Sequence, residues 1–324
     1  MANNSSMAGR GSLQHQMNDL VIIVQILVVI FLCVNMLLIV TFFSKEVFYT
    51  TMRYILFAVT LLSDSLMLFV SDILLILSSY RVTMQFGLCI IFYILSVICI
   101  FVTPVTLTAM ALERYVAICM PLRHAQLCST RSTMHCILII HSLSSVPCIV
   151  ILSVFCASAS KSLYTQYKIC SMEIFVSLRW QNNIKTAIYQ LYFLIMSITI
   201  ILSYVKIMKV AKAASGENKK STRKGLRTVI LHAFQVFLCL VQLWCPFIEV
   251  ALFQIDLMLY VNVRYFNYIT FILAPRCLSP LIYGLRDEKF LLALKHKVPF
   301  GFHCVKIKAR TGFVCQVGCR DRLP

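Results

Sequence analysis

Charge is scarce in this chain. Only 13% of its 324 residues are charged, while 60% are hydrophobic and the mean hydropathy is +0.85. A soluble globule needs far more polar surface, so that class is excluded. Metal-site spacing is missing as well. No CxxC pair or His/Cys cluster suits zinc, and Cys315 and Cys319 stand in a basic tail with no second pair. The histidines, serines and acids within the apolar runs form no nucleophile–base pattern, so no enzyme, metal or cofactor is expected. There is no internal repeat. A cleavable leader is not expected either, because the first apolar run is too long for one and lacks a basic region just before it.

What remains is apolar runs. About 20 apolar residues cross a bilayer core. Uncharged runs of that size cover 20–44, 82–112, 132–160, 186–205 and 228–248. Two more carry isolated charges: 54–80 holds Asp64 and Asp72, and 265–285 holds Arg276. The expected fold is therefore an all-α membrane protein, a seven-transmembrane helix bundle. Its spans should lie near 18–44, 52–79, 85–119, 131–158, 184–212, 224–254 and 260–285. Residues 1–17 form the N-terminus, 18–285 the helical domain and 286–324 an interfacial helix and tail. Within 286–297, Phe290, Leu291 and Leu294 share one side against charges on the other, which suits a short amphipathic eighth helix in the membrane interface.

Orientation follows from the basic residues. The net charge is +18, from 30 basic and 12 acidic residues. They gather on alternate loops, at Lys45 and Arg53, at Arg123 and Arg131, along 206–227 and in the tail. By the positive-inside rule these face the cytoplasm, which puts the N-terminus outside in a multi-pass plasma-membrane protein. The basic face then meets anionic lipid and signalling partners, not nucleic acid. Asn3-Asn4-Ser5 and Asn4-Ser5-Ser6 are overlapping glycosylation sequons on the outer side. Most of the 15 cysteines sit in apolar runs as small hydrophobes. Cys89 and Cys170 instead face the oxidising side, where a disulfide persists.

The most informative stretch is Met110-Ala-Leu-Glu-Arg-Tyr-Val-Ala-Ile-Cys-Met-Pro-Leu-Arg-His124. A Glu-Arg pair closes a membrane-length run there, as a switch element would. It closely resembles the M-A-x-[DE]-R-Y-V-A-I-C-x-P-L motif of vertebrate odorant receptors, a branch of the rhodopsin-like G-protein-coupled receptors, and the chain as a whole resembles the kind found in fish. Two further segments carry the resemblance. Leu243-Trp-Cys-Pro-Phe247 is similar to the C-W-x-P element, and the stretch from Arg276 to Arg286 is similar to N-P-x-x-Y followed by L-R, with Ser279 in place of Asn.

The resemblance implies roles. Glu113, Arg114, Tyr115, Tyr204 and Tyr283 would form the G-protein switch. Trp244, Pro246 and Pro280 would relay ligand binding through local weakness in the helices. Cys89 and Cys170 would pair, as rhodopsin-like receptors join these two places. The ligand would lie among the outer halves of spans three, five, six and seven. Candidates by helical spacing are Ser96, Val97, Ile100, Tyr189, Tyr192, Phe247, Ile248, Ala251 and Ile269. Ser96 stands where amine receptors carry an aspartate, which argues against a monoamine. In the family the mid-membrane aspartate commonly helps to hold sodium. Here Arg276, one turn before Ser279, is placed to pair with Asp64 in the ion's stead. Span six offers no acid at its inner end, so Arg114 is expected to pair with Glu113 alone. The implied partners are a small odorant or other external ligand, a heterotrimeric G protein of the stimulatory, olfactory type, and membrane lipid.

A transporter or channel is the rival reading. Asp64, Asp72, Glu249 and Arg276 could line an ion path. An odd number of spans without a repeat, and the Glu-Arg-Tyr motif, count against it.

Overall fold

The computed structural model describes residues 2–159, 164–175, 178–214, 219–279 and 288–297. Six of its helices are long and apolar enough to cross a membrane: Val21–Phe42, Met52–Ser79, Phe86–Cys119, Thr130–Ser158, Arg179–Val210 and Ile230–Phe253. The seventh span follows in three abutting pieces, an α-helix Leu257–Asn267, a π-helical stretch Tyr268–Leu273 and an α-helix Ala274–Ser279. Helices dominate because hydrocarbon offers backbone groups no partner, so each span must satisfy its own N–H and C=O groups. The seven-helix bundle expected from the apolar runs is the observed architecture.

Several helices run beyond their apolar cores. The first extends back to Ala2, the fifth begins at Arg179, and the sixth begins at Lys219. Composition marks where a helix meets hydrocarbon, not where its hydrogen bonding stops. The ends have local causes. Ser129 caps span four by accepting from the Ser132 N–H at 3.3 Å, and Asp256 caps span seven by accepting from the Met258 N–H at 2.9 Å. Span three ends at Met120, where Pro121 starts the short helix Pro121–Leu127.

Span three is the axis of the bundle and packs on spans two, four and five. Phe101, Leu107 and Ala111 on it are fully buried. The eighth helix is Glu288–Lys297. Phe290 and Ala293 are its most buried side chains, and Leu294 packs beside them. The Phe290 ring meets Phe48, Tyr54 and Phe57, with the Phe48 centroid 5.1 Å away. This aromatic nest pins the helix beneath spans one and two.

Two strands lie outside the sequence expectation. Thr83–Gln85 (β1) pairs antiparallel with Tyr167–Ile169 (β2), Met84 facing Lys168. They form a ribbon between the start of span three and the loop after span four.

Candidate functional site

The outer end is closed by that loop. Cys89 and Cys170 are joined by a disulfide, with Cα atoms 5.5 Å apart. The bond holds β2 and the 3₁₀ turn Met172–Phe175 over span three. Phe175 is 1% exposed and stacks on Tyr93 with centroids 4.0 Å apart, while Phe86 and Phe155 pack around it. Tyr93, Ser96 and Val97 lie on one inward face of span three, all buried. Ser96 is fully buried and its hydroxyl meets no hydrogen-bond partner.

The ligand candidates divide into two groups. Val97, Ile100, Tyr189 and Tyr192 share one core cluster with Phe101, while Ser96 lies on the span-three face that also carries Tyr93 and Val97. Both tyrosine rings meet Phe101 edge-on, at 5.0 and 4.9 Å, and the Tyr192 hydroxyl donates to the Leu143 carbonyl at 2.5 Å. Phe247 packs partly buried against the same core. Ile248 is 47% exposed, however, and Ala251 is also exposed. Ile269 belongs elsewhere, in a cluster with Val24, Val28, Leu68 and Leu273. It lines an open apolar crevice of about 490 Å³ between spans one, six and seven, away from Ser96. The π-helical stretch explains this, because it changes the phase of span seven between the motif and Ile269.

Span six breaks where Pro246 implies. Its helix stops at Val241, passes through Gln242–Trp244 and restarts at Cys245. The Leu243, Trp244 and Cys245 N–H groups bond to carbonyls three residues back, at 3.0, 2.9 and 3.3 Å. Such a turn advances about 120° per residue instead of about 100°. The break thereby rotates Trp244 off the core. It is 40% exposed and packs edge-on against Phe193 and Phe247, while Leu243 takes the buried place at 1%.

Mid-membrane, Arg276 Nε lies 3.5 Å from Asp64 Oδ1, with both side chains buried. The Thr103 hydroxyl donates to the same oxygen at 2.8 Å. Arg276 Nη1 donates to the Ile272 carbonyl in the π-helical stretch and to Gln242 Oε1 at 3.5 Å. The other intramembrane acids have helix partners too. Asp72 accepts from Gln25 at 2.6 Å and Glu249 accepts from Asn267 at 3.0 Å. Asn35 is buried in span one, and neither amide atom meets a hydrogen-bond partner.

At the inner end, the expected private pair of Glu113 and Arg114 is not how Glu113 is held. Its carboxylate faces His124 Nε2 at 3.4 Å and Arg53 at 3.8 Å. His124 is the last residue of the motif that contains Glu113, so the motif folds back on itself across Met120. Arg114 is 9% exposed and within electrostatic reach of Tyr204 and His232. Those two side chains hydrogen-bond to each other across spans five and six. Sequence reasoning missed His232, although a histidine in an uncharged run is itself a signal. Tyr115 lies under Lys206, 5.7 Å from ring centroid to ammonium. Burial raises the Cys128 thiol above its usual range, with Glu113 adding to the effect.

Asn3 and Asn4 lie on the helical extension, their side chains outside the described residues. Pro280, Tyr283 and the side chain of Ser279 also fall outside them. Among the described residues no His/Cys/Asp/Glu group could hold a metal.

Residues 34–283 match the 7 transmembrane receptor (rhodopsin family). The chain is 43% identical over 303 residues to odorant receptor 131-2 of Danio rerio, covering 94% of this chain and 93% of that protein. It is 30% identical over 197 residues to olfactory receptor 52A5 of Homo sapiens, covering 56% of this chain and 58% of that one.

Proposed function

This chain belongs to the odorant-receptor branch of the rhodopsin-like seven-transmembrane receptors, and from that premise we propose that it binds a small external odorant and activates a stimulatory, olfactory-type heterotrimeric G protein. The observation that carries the reading is the place of Arg114. It lies in the last turns of the most buried span, beside the Tyr204–His232 contact that joins the two helices able to part there. The ligand lies under the Phe175 cap against Ser96, Val97, Ile100, Tyr189 and Tyr192, with Phe247 alongside. It is mostly apolar and carries one hydrogen-bonding group for Ser96.

Ligand binding favours an arrangement already present at low population. The break at Gln242–Trp244 lets the inner half of span six swing while its outer half stays against the ligand. Tyr204 and His232 then part, and Arg114 meets the G protein. The N-terminus faces outward at the plasma membrane, and the inner basic loops lie against anionic lipid.

The test is a cAMP screen of odorants, amino acids and amines in cells expressing the receptor with and without the olfactory G protein. A small odorant should raise cAMP only when the G protein is present. Ligand-evoked current in its absence would overturn the reading in favour of a channel.

A further inference from the structure

We propose that Arg276 is a tethered cation that couples Asp64 to the break in span six and so clamps the resting bundle shut. The starting point is a polar stripe on an apolar helix. His232, Gln235, Cys239 and Gln242 recur at i, i+3, i+7 and i+10, so they share one face of span six. All four are buried. Two glutamines in hydrocarbon are costly unless bonded, and here both hold span seven. Gln235 Nε2 donates to the Pro275 carbonyl at 3.3 Å, and Gln242 Oε1 accepts from Arg276.

Gln242 is the first residue of the break itself. The hinge of span six is thus tied through a guanidinium to a carboxylate on span two. Arginine suits this task because its planar group has five donors and stays charged at any physiological pH. It faces Asp64 with Nε, and both the Ile272 carbonyl and Gln242 with Nη1. A lysine would bring the same charge but a single, shorter donor head. A free monovalent cation would neutralise Asp64 and could leave, whereas Arg276 is fixed to span seven and cannot. Opening span six therefore leaves the buried pair neutralised and breaks the Arg276–Gln242 contact. Two consequences follow. Asp64 has no vacancy for a free cation, and Gln242 sets how readily the hinge opens.

Both are tested on purified receptor in lipid nanodiscs, without odorant or G protein, so the outcome is independent of the functional reading. Melting temperatures are compared in sodium chloride and in N-methylglucamine chloride. Wild type should melt at the same temperature in both. Arg276→Met should melt higher in sodium, and adding Asp64→Asn should abolish the difference. Hydrogen–deuterium exchange then reads the hinge. Gln242→Leu should speed exchange over residues 238–247 by roughly tenfold, the size of one charge-assisted hydrogen bond. Arg276→Lys covers the case in which Arg276→Met does not fold. It keeps a charge for Asp64 but loses the reach to Gln242, so it should stay indifferent to sodium and still exchange faster at the hinge. Sodium stabilisation of wild type, or indifference of a folded Arg276→Met to sodium, overturns the tethered cation. Unchanged exchange in Gln242→Leu and Arg276→Lys overturns the clamp.

Discussion

The Phe175 ring, from the loop after span four, lies stacked on Tyr93 of span three with centroids 4.0 Å apart. The loop thus puts a buried aromatic plug one helical turn above Ser96. Phe→Ala changes at fully packed sites cost about 3–5 kcal/mol. Phe175→Ala should therefore lower the melting temperature and speed odorant release. An unchanged melting temperature and unchanged release rate would show that the ring is no plug.

The Cys89–Cys170 disulfide ties the same loop just before the turn that carries Phe175. Losing a native disulfide typically costs about 2–5 kcal/mol. Cys89→Ser and Cys170→Ser should each hold the receptor inside the cell, read by surface labelling against total protein. Peptide mapping without reductant should recover the joined pair from wild type, and finding both thiols free in folded receptor would refute it.

Arg114 is predicted to be required for coupling and not for folding. Arg114→Ala should abolish odorant-evoked cAMP while surface expression stays near wild type. A normal cAMP response at matched expression would sink its role in the switch.

Ser96 should show opposite effects on stability and on recognition. A buried hydroxyl without a partner costs about 1–3 kcal/mol. Ser96→Ala removes that cost, so the ligand-free receptor should melt higher. Odorants carrying a hydroxyl or carbonyl should lose potency by about tenfold, while their hydrocarbon analogues are unaffected. Equal loss for both ligand types would mean that Ser96 recognises shape and not polarity.

How much of this is legible in the chain differs from feature to feature. Asp64 and Arg276 can be paired from sequence because a charge in a hydrocarbon-length run must find its opposite. Span six announces its break through Pro246. The side to which Trp244 turns is another matter, since it depends on three residues bonding i→i−3, and no local pattern fixes that. Ile269 shows the same limit. Spacing at 3.6 residues per turn carries it onto the face of the motif, but the π-helical stretch intervenes and turns it toward spans one and two. His124 was within the most recognisable motif of the chain, and still its bond to Glu113 depends on the turn at Met120. The ribbon of β1 and β2 has three residues on each side, too few for any alternation to stand out.

The covalent link at the outer face also imposes an order on assembly. Its two cysteines are 81 residues apart, and the stretch between them contains most of span three and all of span four. With the N-terminus outward as proposed, Cys170 reaches the oxidising compartment only after both have crossed the bilayer. Until then Phe175 has no ring to rest on and β1 has no mate. Closure of the cap therefore requires that spans three and four already lie side by side, so the bond records their pairing in the chain's covalent structure.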